Sequence, residues 1–139
     1  MSLDLTSLKK AIEALERSLG TSHESAVAEN ERLMEAVRAG VVQNFEVAYE
    51  QSWKFIQRWL VENKSAADAE NPRTRKELFR MAARYGLIPD PIAWFSYGDT
   101  RNLTAHTYDA EQAIAVYKAA ELFLADAMIL LANLESLND

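Results

Sequence analysis

The stretch Arg101-Asn102-Leu103-Thr104-Ala105-His106-Thr107-Tyr108 places a guanidinium, an amide, an imidazole and a phenol close together. His106 is one of only two histidines in the 139-residue chain. A guanidinium forks onto phosphate oxygens and an imidazole titrating near neutrality moves protons, so this set suits chemistry at a phosphodiester. At about 100° of rotation per helical residue, Asn102 and His106 share a face, with Arg101 beside them. Asp109 followed by Gln112 reads as an N-cap with a capping-box partner, opening a new helix at Ala110 and leaving His106 and Tyr108 at a helix junction. The same residue types also suit an ordinary helix end. An arginine near a C-terminus is favoured by the macrodipole, and His or Asn there can satisfy free carbonyls.

A second stretch, Phe45-Glu46-Val47-Ala48-Tyr49-Glu50-Gln51-Ser52-Trp53-Lys54, alternates aromatic and acidic positions in a helical frame. Taken in order, this segment and the set Arg101, Asn102, His106, Tyr108 resemble the HEPN superfamily in its HepT-like branch, also called nucleotidyltransferase substrate-binding proteins. The first matches the signature of that family's long second helix. The second matches its Arg-polar-x-x-x-His-x-Tyr motif. The resemblance runs over nearly the whole chain, with one departure: the family usually carries a basic residue just before the Phe-Glu pair, where this chain has Asn44.

The resemblance implies a metal-independent endoribonuclease, the toxin of a two-protein toxin-antitoxin system, in which two copies place Arg101 and His106 in one cleft. The residues are consistent with that chemistry. The neighbouring 2′-hydroxyl of RNA is the nucleophile, His106 accepts or donates the proton, Arg101 holds charge building on the phosphoryl oxygens, and Asn102 orients His106 or the phosphate. By the same resemblance Tyr108 accepts AMP from a partner nucleotidyltransferase, which silences the toxin. An alternative from the same family is a non-catalytic subunit that docks a small nucleotidyltransferase and holds its substrate.

Other chemistries find no support in the sequence. There is no cysteine, hence no thiolate metal site or disulfide. Neither His23 nor His106 follows a glutamate at the spacing a di-iron bundle needs, and neither a Gly-rich phosphate loop nor a His-Glu-x-x-His motif occurs. The sequence therefore predicts no metal, no cofactor and no nucleotide-transfer machinery of its own. A formal net charge of -6 argues against general affinity for nucleic acid. Arg73, Arg75, Lys76, Arg80 and Arg84 nonetheless form a local basic stretch, a candidate RNA or phosphate patch on an otherwise acidic body. His23 reads as an exposed loop residue. The start Met1-Ser2-Leu3-Asp4 lacks signal-peptide character and the apolar run Leu122 to Leu134 is interrupted by Asp126, which predicts a cytoplasmic protein without a membrane span.

The elements that must position these residues follow from periodicity. With 49% hydrophobic residues and three prolines, residues 1–139 read as one domain. Leu5, Leu8, Ile12, Leu15 and Leu19 mark a first helix stopped at Gly20. A long second helix runs from after Ser25 to about Lys64, with a possible bend at Gly40. Its wide apolar face (Val42, Phe45, Tyr49, Ile56, Leu60, with Trp53, Phe55 and Trp59) suggests burial on two sides. A central position in the bundle, a homodimer interface, or both would explain it; core packing accounts for most of these aromatics, and Phe45, Tyr49 and Trp53 are the candidate anchors of such an interface. Asn71-Pro72 and Asp90-Pro91 read as cap-plus-proline starts. The first opens a short helix ending at Gly86, and the second a helix carrying Ile92, Trp94, Phe95 and Leu103 inward, with Gly98 permitting a close approach. Ala113, Tyr117, Ala120, Leu124, Leu131 and Leu134, with Val116, Phe123, Leu130 and Leu137 at sevenfold spacing, form two stripes of a last helix. No strand pattern occurs, so the expected fold is all-α, an antiparallel up-and-down bundle of four to five helices.

Overall fold

A computed structural model describes residues 2–64, 74–104 and 109–138. It contains α1 (Thr6–Ser22), α2 (Ser25–Ala28), α3 (Glu31–Asn63), α4 (Arg75–Arg84), α5 (Pro91–Leu103) and α6 (Ala110–Leu137). The fold is all-α, as the periodicities require.

Side-chain pairings fix the directions. Asn44 Nδ2 donates to Ala14 O (3.2 Å) and to Ser18 Oγ (3.0 Å), while Ser7 Oγ donates to Gln51 Oε1 (3.2 Å), so α3 runs antiparallel to α1. Ser22 Oγ meets Tyr117 Oη at 2.6 Å, and Leu3 exchanges hydrogen bonds with Asn138, so α6 also opposes α1. Tyr97 donates to Asp126, and further down Asn133 Nδ2 donates to Leu87 O, so α5 opposes α6. The four helices α1, α3, α5 and α6 thus go up, down, up and down. Helix α4 is laid against α3 and α5, and α2 is a single turn before α3. Asn44, where the family resemblance anticipates a basic residue, is absorbed into the α1–α3 seam.

The core centres on Phe123. Its ring meets Phe45 at 5.2 Å, Trp94 at 5.4 Å and Tyr97 at 5.1 Å, all close to edge-on. Such T-shaped contacts add about 0.5–1.5 kcal/mol each beyond the area they bury. They tie α3, α5 and α6 together in one place. Trp94 and Phe79, 5.3 Å apart, extend the cluster into α4.

Helix ends follow their caps. Asn30 accepts from the backbone N–H of Arg32 and Leu33 and starts α3, which splits the expected second helix into α2 and α3. Thr74 caps α4 through Glu77 N–H, and Asp90 and Asp109 cap α5 and α6. The expected Asn71-Pro72 start lies outside the described residues. Gln112 Oε1 finds no partner among the described residues, so the reciprocal half of the capping box at Asp109 is not made. Gly86, at φ +82°, ends the α4 segment in the left-handed region that only glycine enters readily. Gly20 has no such conformation, and α1 runs on to Ser22, whose hydroxyl is held by Leu19 O.

The placements of several apolar residues correct the sequence expectations. Ile92, 70% exposed, sits in the first turn of α5 on its solvent side, and Leu103 is 40% exposed at the other end. Phe45 and Tyr49 are fully buried within the single chain, so neither offers surface to a second copy. Trp53 is half-buried under the Arg75 guanidinium, 4.2 Å from its ring. The broad apolar face of α3 is covered by α1, α4, α5 and α6 of the same chain.

Candidate functional site

The site is built where α5 ends against the middle of α3. Arg101 sits in the last turn of α5. Its Nη1 donates to Thr104 Oγ1 (3.1 Å), and that hydroxyl in turn donates to Arg101 O (2.8 Å). Its Nε lies 3.7 Å from Glu50 Oε1 and its Nη2 4.0 Å from Glu46 Oε2. These are ion-pair distances rather than hydrogen bonds. Glu46 and Glu50 are four apart on α3 and therefore share a face. The two sequence stretches singled out at the start thus meet through charge, and the acids between the aromatics of α3 hold the arginine of the motif.

Asn102 faces a different space. It lines a cleft of about 530 Å³ between α4 and α5, together with Thr74, Arg75, Lys76, Phe95, Gly98 and Asp99, with Tyr49, Phe79 and Trp94 beneath. Arg101 and Asn102 therefore diverge, one toward the carboxylates of α3 and the other into the cleft. Helix α5 ends at Leu103 with Thr104 as its C-cap. The expectation that Asn102 and His106 share a helix face falls partly outside the described residues. His106 and Tyr108 themselves lie outside the described residues, as does Arg73.

The basic stretch divides. Arg75 and Lys76, in the first turn of α4, reach the cleft. Arg75 lies over the Trp53 ring and 5.6 Å from the Tyr49 centroid. Lys76 and Arg80 flank Phe95 at 5.6 and 5.1 Å. Arg84 is exposed at the opposite end of α4, away from the cleft lining.

Two tyrosines have their phenol held neutral. Burial pushes the Tyr49 hydroxyl up from its ordinary range, against the opposing pull of Arg75, with Glu50 and Asp99 adding to the rise. Burial likewise raises Tyr97, reinforced by the hydrogen bond it donates to Asp126 and by that carboxylate's charge. Tyr97 Oη is paired with Asp126, whereas Tyr49 Oη has the Arg75 guanidinium beside it without a hydrogen bond of normal geometry. The Tyr49 hydroxyl abuts α5 at Gly98, where a Cβ would lie 2.7 Å from it. Gly98 is thus the close approach anticipated from sequence, made by a side chain rather than a backbone. The roles of Glu46, Glu50 and Tyr49 were not assigned from sequence, although the i, i+4 spacing of the two acids was the available signal. Among the described residues no group of three or more His, Asp or Glu could hold a metal ion, and no helix is long and apolar enough to cross a membrane. His23 is exposed just past the end of α1, 3.6 Å from Glu121, and takes no part in the contacts of Arg101.

Residues 3–136 match the family described as "nucleotidyltransferase substrate binding protein like". The chain belongs to this HepT-like family. It is 41% identical over 100 residues to a probable ribonuclease HepT of Haemophilus influenzae, covering 72% of this chain and 68% of that protein. Its fold is similar to a solved Haemophilus structure described as the substrate binding domain of a nucleotidyltransferase. That match has a TM-score of 0.87 and 34% identity, covering 95% of this chain and 99% of the other. A Thermus thermophilus crystal structure matches less closely, with a TM-score of 0.61 and 27% identity over 86% of this chain and 98% of that one. Membership of the HepT-like family accounts for why a long acidic and aromatic helix and an Arg-Asn…His-x-Tyr segment occur in one small bundle.

Proposed function

We propose that this protein is a HepT-like endoribonuclease that works without a metal ion, the toxin of a two-protein system whose second member is a small nucleotidyltransferase. The observation that carries the reading is the anchoring of Arg101 by Glu46, Glu50 and Thr104. A guanidinium held in one orientation at a helix end and only partly exposed is pre-organised to receive a phosphoryl oxygen where charge develops. In this reading His106, five residues on, transfers the proton between the 2′-hydroxyl and the leaving group, whereas Asn102 faces the neighbouring cleft rather than the phosphate that Arg101 holds. The likeness to the Haemophilus ribonuclease supports it. Cleavage of RNA in the presence of EDTA, lost in Arg101→Ala and His106→Ala, is the test.

The protein acts as a homodimer in this reading. Val47, 48% exposed and next to Glu46 in α3, and Leu103, exposed two residues after Arg101, supply apolar surface beside the site, in place of the buried Phe45 and Tyr49. Tyr108 is the residue on which the nucleotidyltransferase places AMP. A phosphate there would compete for Arg101 and obstruct an RNA strand by charge and bulk.

A second reading is a binding subunit that holds the substrate of a nucleotidyltransferase. The likeness to the solved substrate binding domain and the cleft between α4 and α5 favour it.

A further inference from the structure

Gln112, whose residue type marks it as the second half of a capping box, does not make that bond. Its side chain instead lines a small recess of about 60 Å³ between the end of α5 and the first turn of α6, with Glu46 and Val42 of α3 at its back. We propose that Gln112 is a positioning residue of the Arg101 site, acting on Glu46 through a water molecule held in this recess. Its effect on RNA cleavage rests on the ribonuclease reading, whereas the water and its effect on Arg101 do not.

Two observations meet in the recess. The first is Gln112 Oε1, which is buried and has no hydrogen-bond partner among the described residues. An unsatisfied buried amide oxygen is destabilising, and leucine or methionine would serve a helix as well as glutamine does. Helix propensity therefore gives no reason for an amide here.

The second observation is the mixed lining. Val42, Leu103, Ala113 and Val116 wall the recess with carbon, but Glu46, Thr104 and Gln112 bring polar atoms to it. An entirely apolar hollow stays dry, whereas a water needs only about 10–15 Å³ and two to four polar partners. Both conditions are met. The free acceptors decide how such a water is oriented. Thr104 Oγ1 is engaged with Arg101 Nη1 and Arg101 O, and the exposed Asp109 uses Oδ1 to cap α6. Gln112 Oε1 and the Glu46 carboxylate are less committed, and each can take one of the water's two hydrogens.

This bridge supplies what the ion pair lacks. At 4.0 Å from Arg101 Nη2, the Glu46 carboxylate is too far for a hydrogen bond, so the pair alone leaves its rotation open. A water shared with an amide on α6 holds nearly as well as a direct bond. It turns Glu46 to a fixed direction, and Arg101 with it.

A high-resolution crystal structure of the full chain tests the water. It should lie within about 2.5–3.0 Å of both Gln112 Oε1 and a Glu46 carboxylate oxygen. A dry recess, or a water bonded to only one of the two, overturns the proposal. Gln112→Met tests the positioning, since it keeps side-chain length and helix propensity and removes the amide. Gln112→Leu is the second variant, with the same expectations. In nitrogen-15 relaxation of the RNA-free protein, the order parameter of the Arg101 Nε–H should fall toward the values below about 0.6 that mark flexible groups. An unchanged order parameter overturns the proposal.

For RNA cleavage, kcat should fall about fivefold with KM within about twofold of wild type, because the charge of Arg101 remains while its orientation is lost. In a Glu46→Gln background the same substitution should change kcat no further, a result that general loosening of α6 would not give. Additive losses would overturn the route through Glu46. A bridging water and a loosened Arg101 in a protein that cleaves no RNA would sink the ribonuclease reading alone. Cleavage that Gln112→Met leaves unchanged would sink the positioning role alone.

Discussion

Arg101 Nε lies 3.7 Å from Glu50 Oε1, with Glu46 one turn away on the same face of α3 at 4.0 Å. One cation thus faces two carboxylates, and its side chain is only 24% exposed. Partly exposed pairs of this kind contribute little to stability, about 0.2–1 kcal/mol. Their value here is positional, because they set the direction in which the guanidinium points.

The double substitution Glu46→Gln, Glu50→Gln should therefore lower RNA cleavage about tenfold or more through loss of orientation, while changing the unfolding free energy by less than about 1 kcal/mol. Single-turnover kinetics beside urea denaturation separates the two. Unchanged cleavage would mean that Arg101 needs no anchoring from α3.

Gly98→Ala puts a methyl 2.7 Å from the Tyr49 hydroxyl. Overpacking of this kind costs typically about 1–3 kcal/mol. In a Tyr49→Phe background the offending oxygen is gone and most of that loss should return. A double-mutant cycle measured by chemical denaturation gives the coupling. Additive effects would contradict the close approach of Tyr49 to α5.

The raised Tyr97 and Tyr49 phenols make a prediction at alkaline pH. A phenol whose folded pKa exceeds its unfolded value contributes stability that is fully present below about pH 10 and is lost as pH rises above it. Thermal melts from pH 8 to 11 should fall more steeply above about pH 10 for wild type than for Tyr97→Phe. Parallel curves would mean that the Tyr97 to Asp126 bond does not depend on the phenolic proton.

Coexpression with the partner nucleotidyltransferase, followed by peptide mass analysis, should find AMP on the peptide containing Tyr108 and none in Tyr108→Phe. An unmodified peptide from a tight, ATP-supplied complex would favour control by docking, and with it the substrate-holding reading.

Periodicity alone made most of the bundle legible. The heptad-like stripes of α1 and α6, the Asp90-Pro91 and Asp109 starts and the Gly86 stop are local signals, and local signals decide helix type and ends. What periodicity could not supply was which face met which neighbour. The aromatic width of α3 is the same whether its second side is covered by another copy or by α4 and α5, so periodicity left Phe45 and Tyr49 open between a dimer interface and the core, and the fold places them in the core. The Arg101 site was readable as residue types. Its partners Glu46 and Glu50, more than fifty positions earlier, and the buried hydroxyl of Tyr49 needed the tertiary fold.

The central claim is that a guanidinium fixed by α3 and an imidazole just beyond α5 cleave RNA without a metal ion. The measurement that tests it most directly is cleavage of single-stranded RNA by the purified protein in excess EDTA, with Arg101→Ala and His106→Ala alongside and helical content monitored by circular dichroism. Positioned proton transfer contributes typically about 10²–10⁴-fold. The account predicts chelator-resistant cleavage yielding 2′,3′-cyclic phosphate ends, reduced by a factor of about 10² or more by either substitution in a protein that stays folded. Cleavage abolished by EDTA, or retained in both variants, would contradict it.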